Sequence, residues 1–193
     1  MLEKIYFVDE YDNPTGETSE KFAAHHAATK LHAAFSCYIF DTKGQFLVTQ
    51  RAYSKKVWPS VWTNSCCGHP FPGESRIDAI KRRLDYELGM QASDITLILP
   101  NYIYTTPPYH GIIENEFCPL YVAMATNQPQ PNSNEVEDYQ WMNWQSFIEQ
   151  TKKDSNDYSD LAAANAPVWS WWCKDQLKHL KQNEIFRDFL NSF

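Results

Sequence analysis

A run of apolar residues at helical spacing, closed by a glycine, constrains the fold of this chain more than any other feature. The apolar positions are Ile77, Ile80, Leu84 and Leu88, and Gly89 comes next. Side chains three or four residues apart lie on one face of an α-helix, and a glycine just after the last turn commonly ends it. The pattern predicts an amphipathic helix over residues 74–88 that packs one face against a core.

Short runs rich in aromatic and β-branched residues occur on both sides of this helix. Residues 35–40 and 46–51 are two such runs, and the turn sequence DTKG between them predicts a β-hairpin. Further strands are predicted at residues 5–8, 95–99, 102–105, 116–125 and 136–141, and further helices at residues 144–153 and from Pro167 onward. This arrangement indicates an α+β fold, an α/β/α sandwich in which helices flank a mixed sheet.

The net charge narrows the classes of partner. The chain has 193 residues, of which 17 are Lys or Arg and 24 are Asp or Glu, so its formal net charge is −7. Nucleic acids and anionic membranes are bound by basic surfaces, and we therefore expect neither as a partner. No apolar run approaches the ~20 residues that span a bilayer, and the N-terminus lacks the apolar core of a signal peptide.

Five cysteines form an odd set without the spacing of a disulfide framework. They are Cys37, Cys66, Cys67, Cys118 and Cys173. Free thiols are typical of a reducing compartment, and we expect a cytoplasmic protein. Cys66 and Cys67 are adjacent, but no second thiol pair at metal spacing accompanies them, which argues against a structural zinc site.

The predicted helix and the loop before it carry charged residues and glycines at a recognisable spacing. These are Gly68, Glu74, Arg82, Glu87 and Gly89, within residues 68–90. The spacing resembles the Nudix box, a loop–helix–loop element that places carboxylates for Mg²⁺ and a diphosphate. Mg²⁺ prefers oxygen ligands and shares phosphate oxygens with one or two carboxylates. The resemblance implies that Glu87 binds Mg²⁺ together with the substrate diphosphate.

Two positions depart from the hydrolase form of this box. Arg83 stands where that form has a glutamate, and Tyr86 replaces the first of two adjacent glutamates. A helix with fewer carboxylates assembles a weaker metal cluster, which disfavours hydrolysis of a diphosphate bond. Taken alone, the helix has a second interpretation, in which its Glu and Arg side chains only solvate an outer face.

Three further segments resemble the type I isopentenyl diphosphate isomerases. They are the sequence NSCCGHP at residues 64–70, the pair His25 and His32, and the sequence ENE at residues 114–116. The resemblance extends from about Lys21 to Tyr121 and more weakly through the C-terminal third. It implies a small-molecule diphosphate substrate and one Nudix-like domain over residues 1–193, with an additional N-terminal strand and helix and additional C-terminal helices.

In that family a site of three histidines and two glutamates binds a divalent metal ion. The corresponding residues here are His25, His32, His69, Glu114 and Glu116. Imidazole and carboxylate ligands together suit Mn²⁺, Mg²⁺ or Zn²⁺. The two glutamates are two residues apart, so on a strand they project from one face. Any one of the histidines, taken singly, would more often be a surface or packing residue.

The resemblance also implies which groups move protons. In the family, the cysteine that matches Cys67 and the glutamate that matches Glu116 handle substrate protons, and the tyrosine that matches Tyr104 hydrogen-bonds the carboxylate. Shifting the double bond of isopentenyl diphosphate to give dimethylallyl diphosphate passes through a tertiary carbocation. An ordinary cysteine has a pKa of about 8.5, within reach of proton transfer near neutral pH. On sequence alone, Cys67 and Tyr104 would also suit a buried core.

Four cations match the diphosphate-binding positions of the family, and one tryptophan matches the ring that faces the carbocation. The cations are Lys21, Arg51, Lys55 and Arg83. A desolvated aromatic face stabilises a cation by about 2 kcal/mol. The family has this tryptophan directly after a proline, whereas here Val168 follows Pro167. Trp169 is the predicted ring, with Trp171 and Trp172 as alternatives.

Two other functions are compatible with parts of the sequence. One is a Nudix hydrolase that cleaves a diphosphate, which would leave Cys67 and the three histidines without a role. The other is a non-catalytic Nudix-like module that binds a ligand or partner, whose behaviour Cys67→Ser and Glu116→Gln would not change. The isomerase is the function that uses all of these residues.

Overall fold

The computed structural model describes residues 3–159, 161 and 166–193. Its strands are β1 (Lys4–Val8), β2 (Pro14–Glu20), β3 (His32–Ala33), β4 (Phe35–Phe40), β5 (Phe46–Arg51), β6 (Trp62–Thr63), β7 (Cys66–Gly68), β8 (Ala92–Leu99), β9 (Ile103–Thr105), β10 (Asn115–Phe117), β11 (Leu120–Ala125) and β12 (Val136–Met142). Its helices are α1 (Lys21–Ala24), α2 (Arg76–Leu88), α3 (Trp144–Lys153), α4 (Trp171–Leu180) and α5 (Glu184–Leu190). Among these described helices, none has the length and apolar character needed to cross a membrane.

The strands form two mixed sheets, and the chain passes directly from one sheet into the other at two places. One has the order β2-β1-β3-β10-β9, and the other has the order β12-β5-β4-β11-β8, with β6 beside β5 and β7 beside β4. The β3–β10 and β4–β11 pairs are parallel. The chain crosses between the sheets at Ala34, whose backbone N–H bonds the Phe117 carbonyl at 2.9 Å, and again after β10. Strands that continue from one sheet into the other bring the sheet edges together, and the candidate site lies at this junction.

The strand predicted at residues 116–125 is two strands, β10 and β11, separated by Cys118 and Pro119. Proline has no backbone N–H and cannot donate to a sheet. The Pro119 carbonyl instead accepts from the backbone N–H of Ser36 at 3.1 Å. The break allows β10 to pair with β3 in one sheet while β11 pairs with β4 in the other.

Helix α2 covers one face of the second sheet, as predicted. Ser75 caps its N-terminus by accepting from the Asp78 N–H, and Gly89 ends it in the left-handed conformation at φ 55°. Ile80, Leu84 and Leu88 pack with alternate residues of β4 and β5. The predicted apolar face is wrong at one position, since Ile77 is 41% exposed.

Helices α3, α4 and α5 cover the opposite face, which confirms the α+β sandwich. An aromatic cluster joins them to the sheet, with Tyr38 and Phe46 on the strands and Phe147 and Phe186 on the helices. The helical segment expected from Pro167 onward begins only at Trp171, where Ser170 accepts from the Cys173 N–H as the N-cap. This start position decides which tryptophan faces the site.

Candidate active site

Neighbouring strands place three of the predicted site residues side by side. In the parallel β3–β10 pair, His32 is in register with Glu116. On the other edge of β10, Glu116 is in register with Tyr104 of β9. Residues in register across a sheet project their side chains from the same face. The sheet therefore aligns His32, Glu116 and Tyr104 in one row, although they are far apart in the chain.

The five predicted metal ligands form one cluster. Ligand atoms of His25, His32, His69, Glu114 and Glu116 all lie within 4.8 Å of one another. His69 Nε2 is 3.2 Å from His32 Nε2 and 3.0 Å from Glu116 Oε1. His25 Nε2 is 2.8 Å from Glu114 Oε2.

The chemistry of this cluster fits a divalent metal ion. Ligand atoms ~2.0–2.2 Å from one ion lie at most about 4.4 Å apart, close to the spread observed. The other ring nitrogens of His25 and His32 donate to the Lys21 carbonyl at 2.5 Å and the Lys30 carbonyl at 3.0 Å. Such bonds hold the two rings with Nε2 turned toward a shared ion. Burial and the neighbouring His69 lower the pKa of His32 to about 4, which keeps its ring neutral.

The pKa values of the two glutamates of the cluster are shifted in opposite directions. Burial acts to raise the pKa of Glu114, but the hydrogen bond to His25 and the charge of that ring outweigh it, and the pKa is lowered to about 2. The pKa of Glu116 is raised, first by burial and then by the charge of Glu114. Two buried carboxylates that share one site repel each other, and a divalent cation would offset this repulsion.

Cys67 and its neighbour Cys66 point to opposite sides of β7. Cys66 packs in the core beneath α2, whereas Cys67 lines the site cavity. The Cys67 thiol donates to Asn64 Oδ1 at 3.1 Å and lies 3.3 Å from Ser36 Oγ. Burial raises the pKa of Cys67 to about 12, although both hydrogen bonds act to lower it. The thiol is therefore protonated at neutral pH in this environment.

One cavity of about 70 Å³ connects the predicted groups. The three predicted catalytic side chains, the four predicted cations and Glu87 all line it. The Tyr104 hydroxyl donates to Glu116 Oε2 at 2.7 Å. The thiol of Cys67 and the carboxylate of Glu116 thus face the same space, with the metal-ligand cluster beside them.

The cations of the cavity are held by specific partners. Arg51 donates to the carbonyls of Val57 and Trp58, each at 2.9 Å. Arg83 is 5% exposed and forms ion pairs with three carboxylates. These carboxylates belong to Glu3, Glu87 and Glu135. Sequence reasoning missed Glu3 and Glu135, because neither belongs to a motif and both reach the site from distant segments.

The predicted tryptophan does not reach this cavity, and another does. Trp169 is 1% exposed, packs against Phe147 with ring centroids 5.1 Å apart, and is absent from the cavity lining. Trp172 lines the cavity, and its indole N–H donates to Thr63 Oγ1 at 2.9 Å. Since α4 begins at Trp171, Trp169 precedes the helix and enters the core. Of the predicted ring and its two alternatives, the structure thus places Trp172 at this cavity and Trp169 outside it.

Other charged positions of the Nudix-like box stabilise the loop before α2. Arg82 binds both carboxylate oxygens of Glu74 at 2.7 Å and also donates to the His69 carbonyl at 3.1 Å. Tyr86 is 53% exposed. Glu87 is thus the carboxylate of the box that reaches the cavity.

Comparison with known proteins supports the fold. The chain matches the NUDIX domain family over residues 30–163. The crystal structure of DR0079 from Deinococcus radiodurans has a TM-score of 0.63 at 16% identity, covering 94% of this chain and 99% of that one. The MutT protein from Methanosarcina mazei Go1 has a TM-score of 0.56 at 14% identity, covering 79% of this chain and 94% of that one. At such identities these likenesses concern the fold alone.

Curated relatives are much closer in sequence. The isopentenyl-diphosphate Delta-isomerase of Salmonella typhi is 50% identical over 150 residues, which cover 76% of this chain and 82% of the relative. The isopentenyl-diphosphate Delta-isomerase of Saccharopolyspora erythraea is 40% identical over 179 residues, which cover 93% of this chain and 86% of the relative. The chain therefore belongs to the NUDIX domain family and, within it, to the isopentenyl-diphosphate Delta-isomerases.

Proposed function

We propose that this protein interconverts isopentenyl diphosphate and dimethylallyl diphosphate. The observation that carries the proposal is the shared cavity of Cys67 and Glu116, which holds a protonated thiol and a carboxylate bonded to Tyr104. The reaction needs one group that gives a proton to carbon and one that takes a proton from carbon. The relatives named isopentenyl-diphosphate Delta-isomerase support the same assignment.

The chemistry balances with these two groups alone. A proton adds to the terminal CH₂ of the isopentenyl alkene, and the neighbouring carbon becomes a tertiary cation. Loss of a proton from the carbon on the diphosphate side forms the new double bond, so the substrate gains one proton and loses another. Cys67 and Glu116 are together the two proton-transferring groups, one giving and the other taking the proton, and Tyr104 holds the carboxylate in place through its hydroxyl. A divalent ion held by the five-ligand cluster would supply positive charge beside Glu116.

The cation intermediate has to be kept from water, which would trap it as an alcohol. The indole of Trp172 lines the cavity and offers an aromatic face for a cation. The cavity of about 70 Å³ is smaller than the ~300 Å³ at which pockets for small ligands begin. Entry of the substrate therefore requires side chains at the cavity mouth to move apart, and their return would exclude water.

The diphosphate end of the substrate has its own set of partners. Lys21, Arg51, Lys55 and Arg83 line the cavity around Glu87. We assign Mg²⁺ bound with the diphosphate to Glu87, and Mn²⁺, Mg²⁺ or Zn²⁺ to the cluster of three histidines and two glutamates. Guanidinium groups suit bidentate phosphate contacts, and ammonium groups act as point charges.

The remaining assignments follow from the same function. A small-molecule diphosphate is the partner, and nucleic acid and membrane are not. All five cysteines are free thiols, which suits a reducing cytoplasm. A single Nudix-like domain over residues 1–193 is part of this proposal, because the cavity draws on segments as far apart as Lys21 and Trp172.

The test is a proton-exchange experiment. Purified protein, Mg²⁺ and isopentenyl diphosphate in D₂O should give dimethylallyl diphosphate that carries deuterium, as followed by NMR. Cys67→Ser and Glu116→Gln should slow turnover by about 10²-fold or more, the usual contribution of a general acid or base. Cys66→Ala is the matched control, because Cys66 lies on the other side of the same strand, and it should keep turnover within a few-fold.

The outcomes separate the candidate functions. No product and no exchange would reject the isomerase. Release of phosphate would indicate a hydrolase instead. Wild-type turnover by Cys67→Ser and Glu116→Gln would show that neither group moves a proton.

A further inference from the structure

Five charged side chains form a continuous series across the cavity. Lys21 Nζ is 2.8 Å from Glu3 Oε2, and Glu3 Oε1 is 2.5 Å from Arg83 Nη1. On the other side, Arg83 Nη2 is 3.0 Å from Glu135 Oε2, and Glu135 also pairs with Lys55. The arrangement is symmetric about Arg83, with each glutamate joining the central guanidinium to one lysine.

Each of these glutamates has its backbone fixed to the segments that carry the cations. The Glu3 carbonyl accepts from the backbone N–H of Lys21 at 2.8 Å. The Glu135 carbonyl accepts from the backbone N–H of Ala52 at 3.0 Å, at the start of the loop that carries Lys55. Both carboxylates are also partly buried, since the side chain of Glu3 is 31% exposed and that of Glu135 is 14% exposed.

Free lysine side chains bind phosphate at an entropic cost. Fixing the rotamers of a long charged side chain costs conformational entropy. A lysine already held by a carboxylate has lost much of this freedom before the diphosphate arrives. An ammonium has three donors and a guanidinium has five, so the ion pairs leave donors for phosphate. Arg83 Nε is one such donor, because it is buried and lacks a hydrogen-bond partner among the described residues.

We propose that Glu3 and Glu135 are positioning residues of the diphosphate site. They hold Lys21, Arg83 and Lys55 in converging positions and thereby lower the cost of binding the diphosphate group. This inference rests on the proposed function, since it takes the substrate diphosphate as the ligand. The opposite role is competition, in which the two carboxylates occupy the cations and hinder the substrate.

The oxygen atoms used by the two glutamates give the proposal a sharp test. Both contacts of Glu135 fall on one oxygen, Oε2. Glu3 uses Oε2 for Lys21 and Oε1 for Arg83. Glutamine retains one carbonyl oxygen and replaces the other with a donor NH₂. Glu135→Gln can therefore keep both contacts, whereas Glu3→Gln must lose one.

The experiment measures binding of inorganic pyrophosphate with Mg²⁺ by calorimetry and, in parallel, steady-state turnover of isopentenyl diphosphate. Glu3→Ala, Glu3→Gln and Glu135→Ala should weaken pyrophosphate binding about tenfold, as expected for lost charge-assisted contacts, and raise KM similarly. Since the reacting carbons are elsewhere, kcat should change little. Glu135→Gln should bind nearly as wild type. Glu17→Gln is the control, because Glu17 forms an exposed pair with Lys30 at 2.6 Å.

Several results would overturn the inference. Tighter or unchanged pyrophosphate binding in both alanine variants would favour competition or no role. Equal losses in Glu135→Gln and Glu135→Ala would contradict positioning through Oε2. A thermal melt would show whether the alanine variants unfold. If they do, the difference in pyrophosphate affinity between Glu3→Gln and Glu135→Gln decides, and equal affinities would contradict the inference. Wild-type protein that binds pyrophosphate but forms no dimethylallyl product would refute the proposed function alone, because the binding measurements would still test the positioning.

Discussion

Glu116 joins Tyr104 and His69 through its two carboxylate oxygens. Oε2 accepts from the Tyr104 hydroxyl at 2.7 Å, and Oε1 lies 3.0 Å from His69 Nε2. One carboxylate therefore belongs to both the metal-ligand cluster and the cavity that contains Cys67. Both neighbours hold this carboxylate in position, so a change at either should alter proton transfer.

Removing the Tyr104 hydroxyl should slow turnover without unfolding the protein. A hydrogen bond to a charged group contributes about 1.5–3 kcal/mol, which corresponds to roughly ten- to hundredfold in rate. Tyr104→Phe should lower kcat by this order while KM changes little. Tyr102→Phe is the matched control, since the neighbouring hydroxyl bonds Asp175 and its ring stacks on Tyr104. Equal kcat values for the two variants would exclude a role for the Tyr104 bond.

Two tryptophans three residues apart should have different functions. Trp172→Leu keeps an apolar side chain but removes the aromatic face, and it should lower kcat about thirtyfold, the equivalent of roughly 2 kcal/mol. Trp169→Leu should lower the melting temperature instead, because Trp169 is buried against Phe147. Measuring kcat and the melting temperature for both variants separates the effects. A large loss of kcat in Trp169→Leu alone would reverse the assignment.

The ion pairs of Glu3 should make stability depend on pH in acid. Burial acts to raise the pKa of Glu3, but the charges of Lys21 and Arg83 outweigh it, and the pKa is lowered from 4.5 to about 2. A lowered carboxyl pKa contributes stability that is fully present above pH 4.5 and is lost as the pH falls toward 2. Glu3→Gln should be less stable than wild type at neutral pH, by up to about 3 kcal/mol. Urea unfolding between pH 7 and pH 2.5 should show this difference shrinking, and a constant difference would contradict the prediction.

Removing divalent metal should destabilise the fold around the five-ligand cluster. Without a cation, the buried carboxylates of Glu114 and Glu116 repel each other, and a bound ion contributes about 2.7 kcal/mol at a hundred times its Kd. Adding Mn²⁺ or Zn²⁺ to chelator-treated protein should raise its melting temperature. His32→Ala should abolish this rise, whereas Cys67→Ser should retain it. A similar rise in all three proteins would place the ion elsewhere.

Local patterns along the chain predict the helices and strands around the site, and the family resemblance names the candidate site residues. Helix α2 follows from the spacing of Ile80, Leu84 and Leu88, and its end follows from Gly89, because helical periodicity and a left-handed cap are properties of neighbouring residues. The five metal ligands were predicted from the resemblance to the type I isopentenyl diphosphate isomerases, which rests on the motifs that contain them.

Contacts between side chains that are far apart in the chain become visible in the folded protein. Trp172 rather than Trp169 lines the cavity because α4 begins at Trp171, and sequence periodicity does not define that start to within one turn. Glu3 and Glu135 reach Arg83 from the N-terminal segment and from the turn before β12, at separations of 80 and 52 residues. Such contacts are determined by the packing of whole elements rather than by residue spacing, so no local pattern reveals them.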